Sequence, residues 1–110
     1  IWIGSKVKDH LEFQQEMVRI VHSNEVKELI VYDLKQKDPE AFTDQGKIQS
    51  YEIDDETIEH NPMGGIMFEV IINGNKKITG SMGLWKSSED GPIESVGMDT
   101  SVGLQELMEE

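Results

Sequence analysis

Cysteine is absent from the 110-residue chain. That excludes thiol nucleophiles, zinc–thiolate centres and disulfide staples, and it leaves the compartment open, because disulfide-free proteins occur everywhere. Basic residues are scarce: 10 Lys and Arg stand against 22 Asp and Glu, a formal net charge of -12. That balance argues against nucleic acid, whose phosphates demand a basic face, and disfavours direct adsorption to an anionic membrane. A cationic protein or peptide partner, divalent cations, or solubility alone are compatible with it. No repeat, low-complexity tract or linker divides residues 1–110. We read one domain, long enough to bury roughly two-thirds of its unfolded surface without a staple. The chain begins with Ile rather than Met. Ile1-Trp2-Ile3-Gly4 is too short to cross a bilayer, which takes about 20 apolar residues. It fits either the outer end of a preceding hydrophobic segment, with residues 1–8 its remnant, or an apolar terminus packed on the domain.

What the sequence does contain is a hydrophobic hairpin. From Ile66 the residues Ile66, Phe68, Val70 and Ile72 share one strand face, and Met67 and Ile71 on the other face are apolar too, so a central strand partly covered on both sides is expected. Beyond Asn73-Gly74-Asn75, the run Ile78, Gly80, Met82, Leu84 reads as its antiparallel partner. A two-residue loop would set Val70 against Lys77. A three-residue loop at 73–75, with Asn75 in the left-handed region, instead pairs Val70 with Ile78, Phe68 with Gly80 and Ile66 with Met82, which keeps the apolar sets together.

The N-terminal third has the helical period. Asp9 with Glu12 caps a helix whose Leu11, Phe13, Met17, Val18, Ile20 and Val21 share one half of the circumference. Val26, Leu29, Ile30 and Leu34 fall out of phase with that stripe, so the helix breaks near residues 22–25, where Ser23 or Asn24 can cap a second one ending before Asp38-Pro39. Asp33 lies within the apolar face of the second helix. Facing the core it would have a raised pKa and acid–base potential; at the rim it would be bonded to an amide or to water. Residues 38–42 form a capped turn with Pro39 at its first position, residues 47–53 a strand, and residues 93–98 a last strand. Thr100 or Ser101 then caps a helix with Leu104, Leu107 and Met108 inward, weakened by Gly103.

Candidate chemistry is thin. Glu52, Asp54, Asp55, Glu56 and Glu59 form the densest acidic stretch, and Asp54, Asp55, Glu56 and Glu59 are the candidate metal ligands, since hard cations want clustered carboxylate oxygens. The spacing lacks the glycine and distal glutamate of an EF-hand, so a solvated acidic loop is the competing reading. His60 follows directly and is the candidate general base or ligand; its competing role is to hold a turn. No HExxH, no Walker lysine and no GxSxG elbow is present.

The run His60-Asn61-Pro62-Met63-Gly64-Gly65-Ile66, with Asp38-Pro39-Glu40-Ala41-Phe42-Thr43 and Ile48-Gln49-Ser50-Tyr51-Glu52-Ile53-Asp54 before it, resembles a family of small proteins of low-GC Gram-positive bacteria defined only as a domain of unknown function. The likeness covers approximately residues 10–85. It implies a short N-terminal hydrophobic segment, hence export and tethering at the outer face of the membrane, with the cytoplasm as the alternative location, and it implies no activity, cofactor or catalytic residue.

The expected fold is α+β: two N-terminal helices on one face of an antiparallel sheet of about four strands, then a short C-terminal helix. The expected function is a non-enzymatic binding module with no cofactor. The alternative is a hydrolase or metal-dependent enzyme using His60 with Asp54, Asp55 or Glu59.

Overall fold

The computed structural model describes residues 10–60, 65–86 and 91–109. Residues 1–4, the Asp9 cap, the Pro62–Gly64 part of the glycine-rich run and most of the polar turn after Lys86 lie outside them. Two helices come first, α1 (His10–Val21) and α2 (Asn24–Lys37). Four strands follow, β1 (Tyr51–His60), β2 (Ile66–Ile72), β3 (Asn75–Trp85) and β4 (Glu94–Thr100), and α3 (Val102–Glu109) ends the order. The strands form one antiparallel sheet in the order β1-β2-β3-β4. This is the expected α+β arrangement.

The break between the helices falls where the phase of the apolar residues changes. Ser23 is extended (φ -70°, ψ 159°) and its hydroxyl accepts from the Val26 N–H, capping α2. The new phase turns Val26, Ile30 and Leu34 fully inward. Both helices cover the face of the sheet that carries Ile66, Phe68, Val70, Ile72, Met82 and Leu84. Each such buried side chain contributes roughly 1.5–3 kcal/mol. Helix α1 lies toward β1, where Gln14 donates to the Ile58 carbonyl at 3.4 Å. Helix α2 lies toward β4, where Glu25 accepts from the Ile93 N–H at 2.8 Å.

The hairpin register differs from the expected one. Asn73 and Gly74, at φ 56° and 68°, form a two-residue turn with both residues left-handed, and Asn75 opens β3. Ile72 pairs with Asn75, but Ile71 pairs with Thr79, so Lys76, Lys77 and Ile78 lie in a bulge. Phe68 therefore faces Met82 and Val70 faces Gly80, not the pairs parity suggested. The bulge is held from outside the hairpin: the Thr79 N–H donates to Ser101 Oγ (3.0 Å) and the Ser101 N–H to the Thr79 carbonyl (3.0 Å). The same hydroxyl accepts from the Leu104 N–H at 3.1 Å and so caps α3. Apolar sets still meet, because the bulge preserves the even parity that a simple two-residue loop breaks.

The acidic stretch from Glu52 to Glu59, read above as metal ligands or a solvated loop, lies within β1, and His60 ends that strand. An edge strand can carry several carboxylates because much of it faces water. The cost shows as a register shift between Asp54 and Glu59. The strand expected over 47–53 starts only at Tyr51, and residues 47–50 precede the ladder; Asn73 joins them to the hairpin, its Oδ1 accepting from the Gln49 and Ser50 N–H groups and its Nδ2 donating to the Lys47 carbonyl.

Candidate functional site

With the helices on one face, alternation sends the remaining strand side chains to the other. Met67, Glu69 and Ile71 come from β2, Thr79, Ser81, Gly83 and Trp85 from β3, and Asp99 from β4. This face is open. Ile71 is buried, but Met67 and Trp85 are 39% and 40% exposed and Val96 is 72% exposed. The expectation that both sides of β2 are covered therefore holds only at its Ile71 end. A shallow groove of about 620 Å³ crosses the open face from Thr57 and Glu59 to Val96 and Asp99, with Met67, Glu69, Ser81, Gly83 and Trp85 between them. Its described lining carries three carboxylates, Glu59, Glu69 and Asp99, and one cation, Lys37, from the end of α2.

Two ladder rows make the floor. In one, Asp54, Glu69, Ser81 and Asp99 are successive partners across all four strands. Like charges set directly opposite, as Asp54 and Glu69 are, weaken a sheet. The Thr57 hydroxyl bridges the strands there, donating to the Asp54 carbonyl at 2.7 Å and accepting from the Glu69 N–H at 2.8 Å. In the other row Glu59, Met67 and Gly83 are partners, and Val96 lies against Gly83.

Val96 reaches this face through a bulge. Met82 pairs with Met98 and Leu84 with Ser95, so Val96 and Gly97 together oppose Gly83. Gly97, at φ 108°, adopts a conformation that residues with a Cβ rarely take. A Cβ on Gly83 would lie 2.6 Å from Val96 Cγ2. The bulge is fixed from the helix side: the Ser95 hydroxyl donates to Asp33 at 2.6 Å and accepts from the Gly97 N–H at 3.0 Å. Asp33 is thus half-buried and bonded to a serine, where an amide or water was expected.

The residues singled out from sequence are dispersed. His60 pairs with Ile66 and turns toward the helices, its ring meeting Phe13 edge-on at 5.0 Å. Its Nε2 is buried and has no hydrogen-bond partner among the described residues. Glu59, its neighbour in the strand, points to the open face. Asp55 is 2.6 Å from His22 Nε2 at the end of α1, and Asp54 Oδ1 accepts from the Glu56 N–H at 3.2 Å. Among the described residues no hydrogen bond or ion pair joins His60 to Asp54, Asp55 or Glu59, and no three His, Asp or Glu side chains converge as a metal site. We expect calcium to raise the melting temperature no more than sodium at matched ionic strength, since relief of self-repulsion in a chain of charge -12 needs no specific site. A calcium-specific rise abolished by Asp54→Asn with Asp55→Asn would contradict this.

A second polar centre is structural. Asp38, 5% exposed, accepts from the Lys47 and Ile48 N–H groups (2.8 and 3.0 Å) with one oxygen and from the Glu40 N–H (3.1 Å) with the other. Burial pushes its carboxyl up, but the amides of Ile48, Lys47 and Glu40 and the charge of Lys47 outweigh that and hold it below the usual carboxylate value.

The family model described as a protein of unknown function, DUF1310, matches residues 2–107. The chain belongs to the DUF1310 family. Comparison with curated proteins and with solved structures found no match. In this DUF1310 chain, no helix among the described residues is long and apolar enough to cross a membrane. The open-face residues Met67, Glu69, Ser81, Gly83, Trp85, Val96 and Asp99 were not singled out by motif. Alternation placed Met67 off the core face, and nothing in the sequence shows that no helix covers it.

Proposed function

We propose that this DUF1310 domain is a non-enzymatic interaction module that meets a cationic protein or peptide through the open face of its sheet. We place it at the outer face of a Gram-positive cell membrane, tethered by a hydrophobic segment ahead of the domain. The observation that carries the reading is the exposure of Met67, Trp85 and Val96 on one strand face among Glu59, Glu69 and Asp99. Large apolar side chains grouped on an otherwise acidic surface mark contact sites, and exposed aromatic and methionine residues are favoured at them. The sign of the charge favours a cationic partner and disfavours nucleic acid. The outer location rests on the family likeness carried by the His60-to-Ile66 run.

The test is a selection of displayed peptides against the 110-residue chain, followed by mapping of amide shifts. Selected peptides are expected to perturb Met67, Ser81, Gly83 and Trp85, and Met67→Ser with Trp85→Ser is expected to abolish binding while the amide spectrum shows the fold retained. Shifts confined to α1 and α2, or undiminished binding by the double variant, would overturn the reading. Protease treatment of intact cells making the full-length natural protein tests the location: degradation is expected, and protection contradicts it.

A further inference from the structure

We propose that the notch beside Gly83 receives an arginine or lysine side chain of a protein partner, its aliphatic stem among Met67, Val96 and Trp85 and its charged head over Ser81 between Glu69 and Asp99. This rests on the reading of the open face as the contact surface. Gly83 is the one position in the Glu59-Met67-Gly83 row with no side chain, and Val96 Cγ2 leans over it, 2.6 Å from where a Cβ would stand, so the notch opens on the Met67 and Trp85 side of Val96. The walls are apolar, and Trp85 adds an exposed indole that can face a cation.

The neighbouring row changes character. Glu69, Ser81 and Asp99 are direct partners on β2, β3 and β4. Two strand spacings put the backbones of Glu69 and Asp99 roughly 9–10 Å apart, and two residues of rise put Ser81 about 7 Å from Gly83. An occupant must therefore be apolar at the notch and cationic one step along the strand, with a hydroxyl beneath its head. Long basic side chains have that division between stem and head. A bare metal ion does not match, because no three ligating side chains converge among the described residues. The corresponding face of a second copy carries the same carboxylates and would be repelled.

Asp33 is a positioning residue for this notch. Its bond to Ser95, which in turn holds the Gly97 N–H, fixes the bulge that lays Val96 beside Gly83.

The experiment uses an acetylated, amidated heptapeptide alternating leucine and arginine, and the same peptide with citrulline, a neutral isostere, in place of arginine. Trp85 fluorescence reports binding in a Trp2→Phe background, with amide shifts on the unaltered 110-residue chain. The arginine peptide is expected to bind saturably and to move Glu69, Ser81, Gly83 and Asp99, with citrulline at least about tenfold weaker, the loss expected for a charge-assisted contact. Glu69→Gln with Asp99→Asn should remove most of that discrimination. Glu28→Gln with Glu106→Gln, an equal change of charge at exposed helical sites, should leave it. Equal binding of both peptides at this face overturns the arginine–lysine notch but leaves the face as a contact surface. An equal effect of the two charge pairs assigns the preference to diffuse attraction and also overturns the notch, as does the absence of binding by either peptide. Shifts mapped to the helices, or dimerisation through the open face, overturn the notch and the contact surface together.

Discussion

Asp38→Asn is expected to destabilise the domain by about 2–4 kcal/mol, the sum of a lost charge-assisted bond and at least one buried amide left without an acceptor. Asp38 stands at the end of α2, and its two oxygens collect three amides from a turn and from the segment that leads into β1. An asparagine of the same shape offers one oxygen and turns an NH₂ group toward donors. The effect carries a pH signature. The folded-state pKa of Asp38 is lowered, so its contribution is fully present above the unfolded carboxylate value near ~3.9 and is lost as pH falls through the lower folded value. The stability gap between the native chain and Asp38→Asn, read from urea midpoints, is expected to be widest near neutrality and to narrow below about pH 4. Other carboxylates titrate in both proteins and cancel in the difference. A gap that stays constant into acid would show that Asp38 is not held as a carboxylate by these amides.

The second large effect is at Gly103. Helix propensity taken alone makes Gly→Ala favourable by about 1 kcal/mol in a helix. The packing reverses the sign. A Cβ on Gly103 would lie 2.0 Å from the Lys77 carbonyl oxygen and 2.9 Å from its carbon, both backbone atoms of the β3 bulge. The helix would have to lift off the strand, disturbing Ser101, which holds both the bulge and the α3 cap, and the seat of the fully buried Leu104. Overpacking of this kind costs about 1–3 kcal/mol, and the propensity gain of about 1 kcal/mol set against it leaves a net loss of up to about 2 kcal/mol. Gly103→Ala is therefore expected to lower the melting temperature, while Glu106→Ala, exposed on the same helix, changes it little. A raised melting temperature for Gly103→Ala would mean that α3 does not pack this closely.

These two residues also mark where the sequence could be read and where it could not. The break after Val21 was visible because the phase of apolar residues is local, and Ser23 is a cap by chemistry alone. The Ser101 cap was visible for the same reason, but its second role at Thr79, 22 residues away, was not. That hidden contact is what makes the two-residue Asn73-Gly74 turn compatible with the apolar pairing, so parity reasoning chose the wrong loop while grouping the right faces. Gly103 looked like a helix weakness because the strand it touches is distant in sequence. The acidic run 54–59 looked like a loop because strand propensity is low there, yet an edge position and the Thr57 bridge admit it to the sheet. Asp33 was legible as a polar residue in an apolar stripe; its partner Ser95 was not. The open face escaped notice because Met67 and Ile71 have the composition of a covered strand, and only the placement of all three helices leaves Met67 exposed.

The most direct measurement replaces Val96 with a photo-crosslinking amino acid in the full-length natural protein, in living cells. Tyr32 on α2, 63% exposed, serves as the same replacement on the helical side. A discrete adduct from position 96, absent from position 32 and lost when Met67→Ser and Trp85→Ser are added, is the predicted result. An adduct from position 32 with none from position 96 would contradict the assignment of the open sheet face as the contact surface.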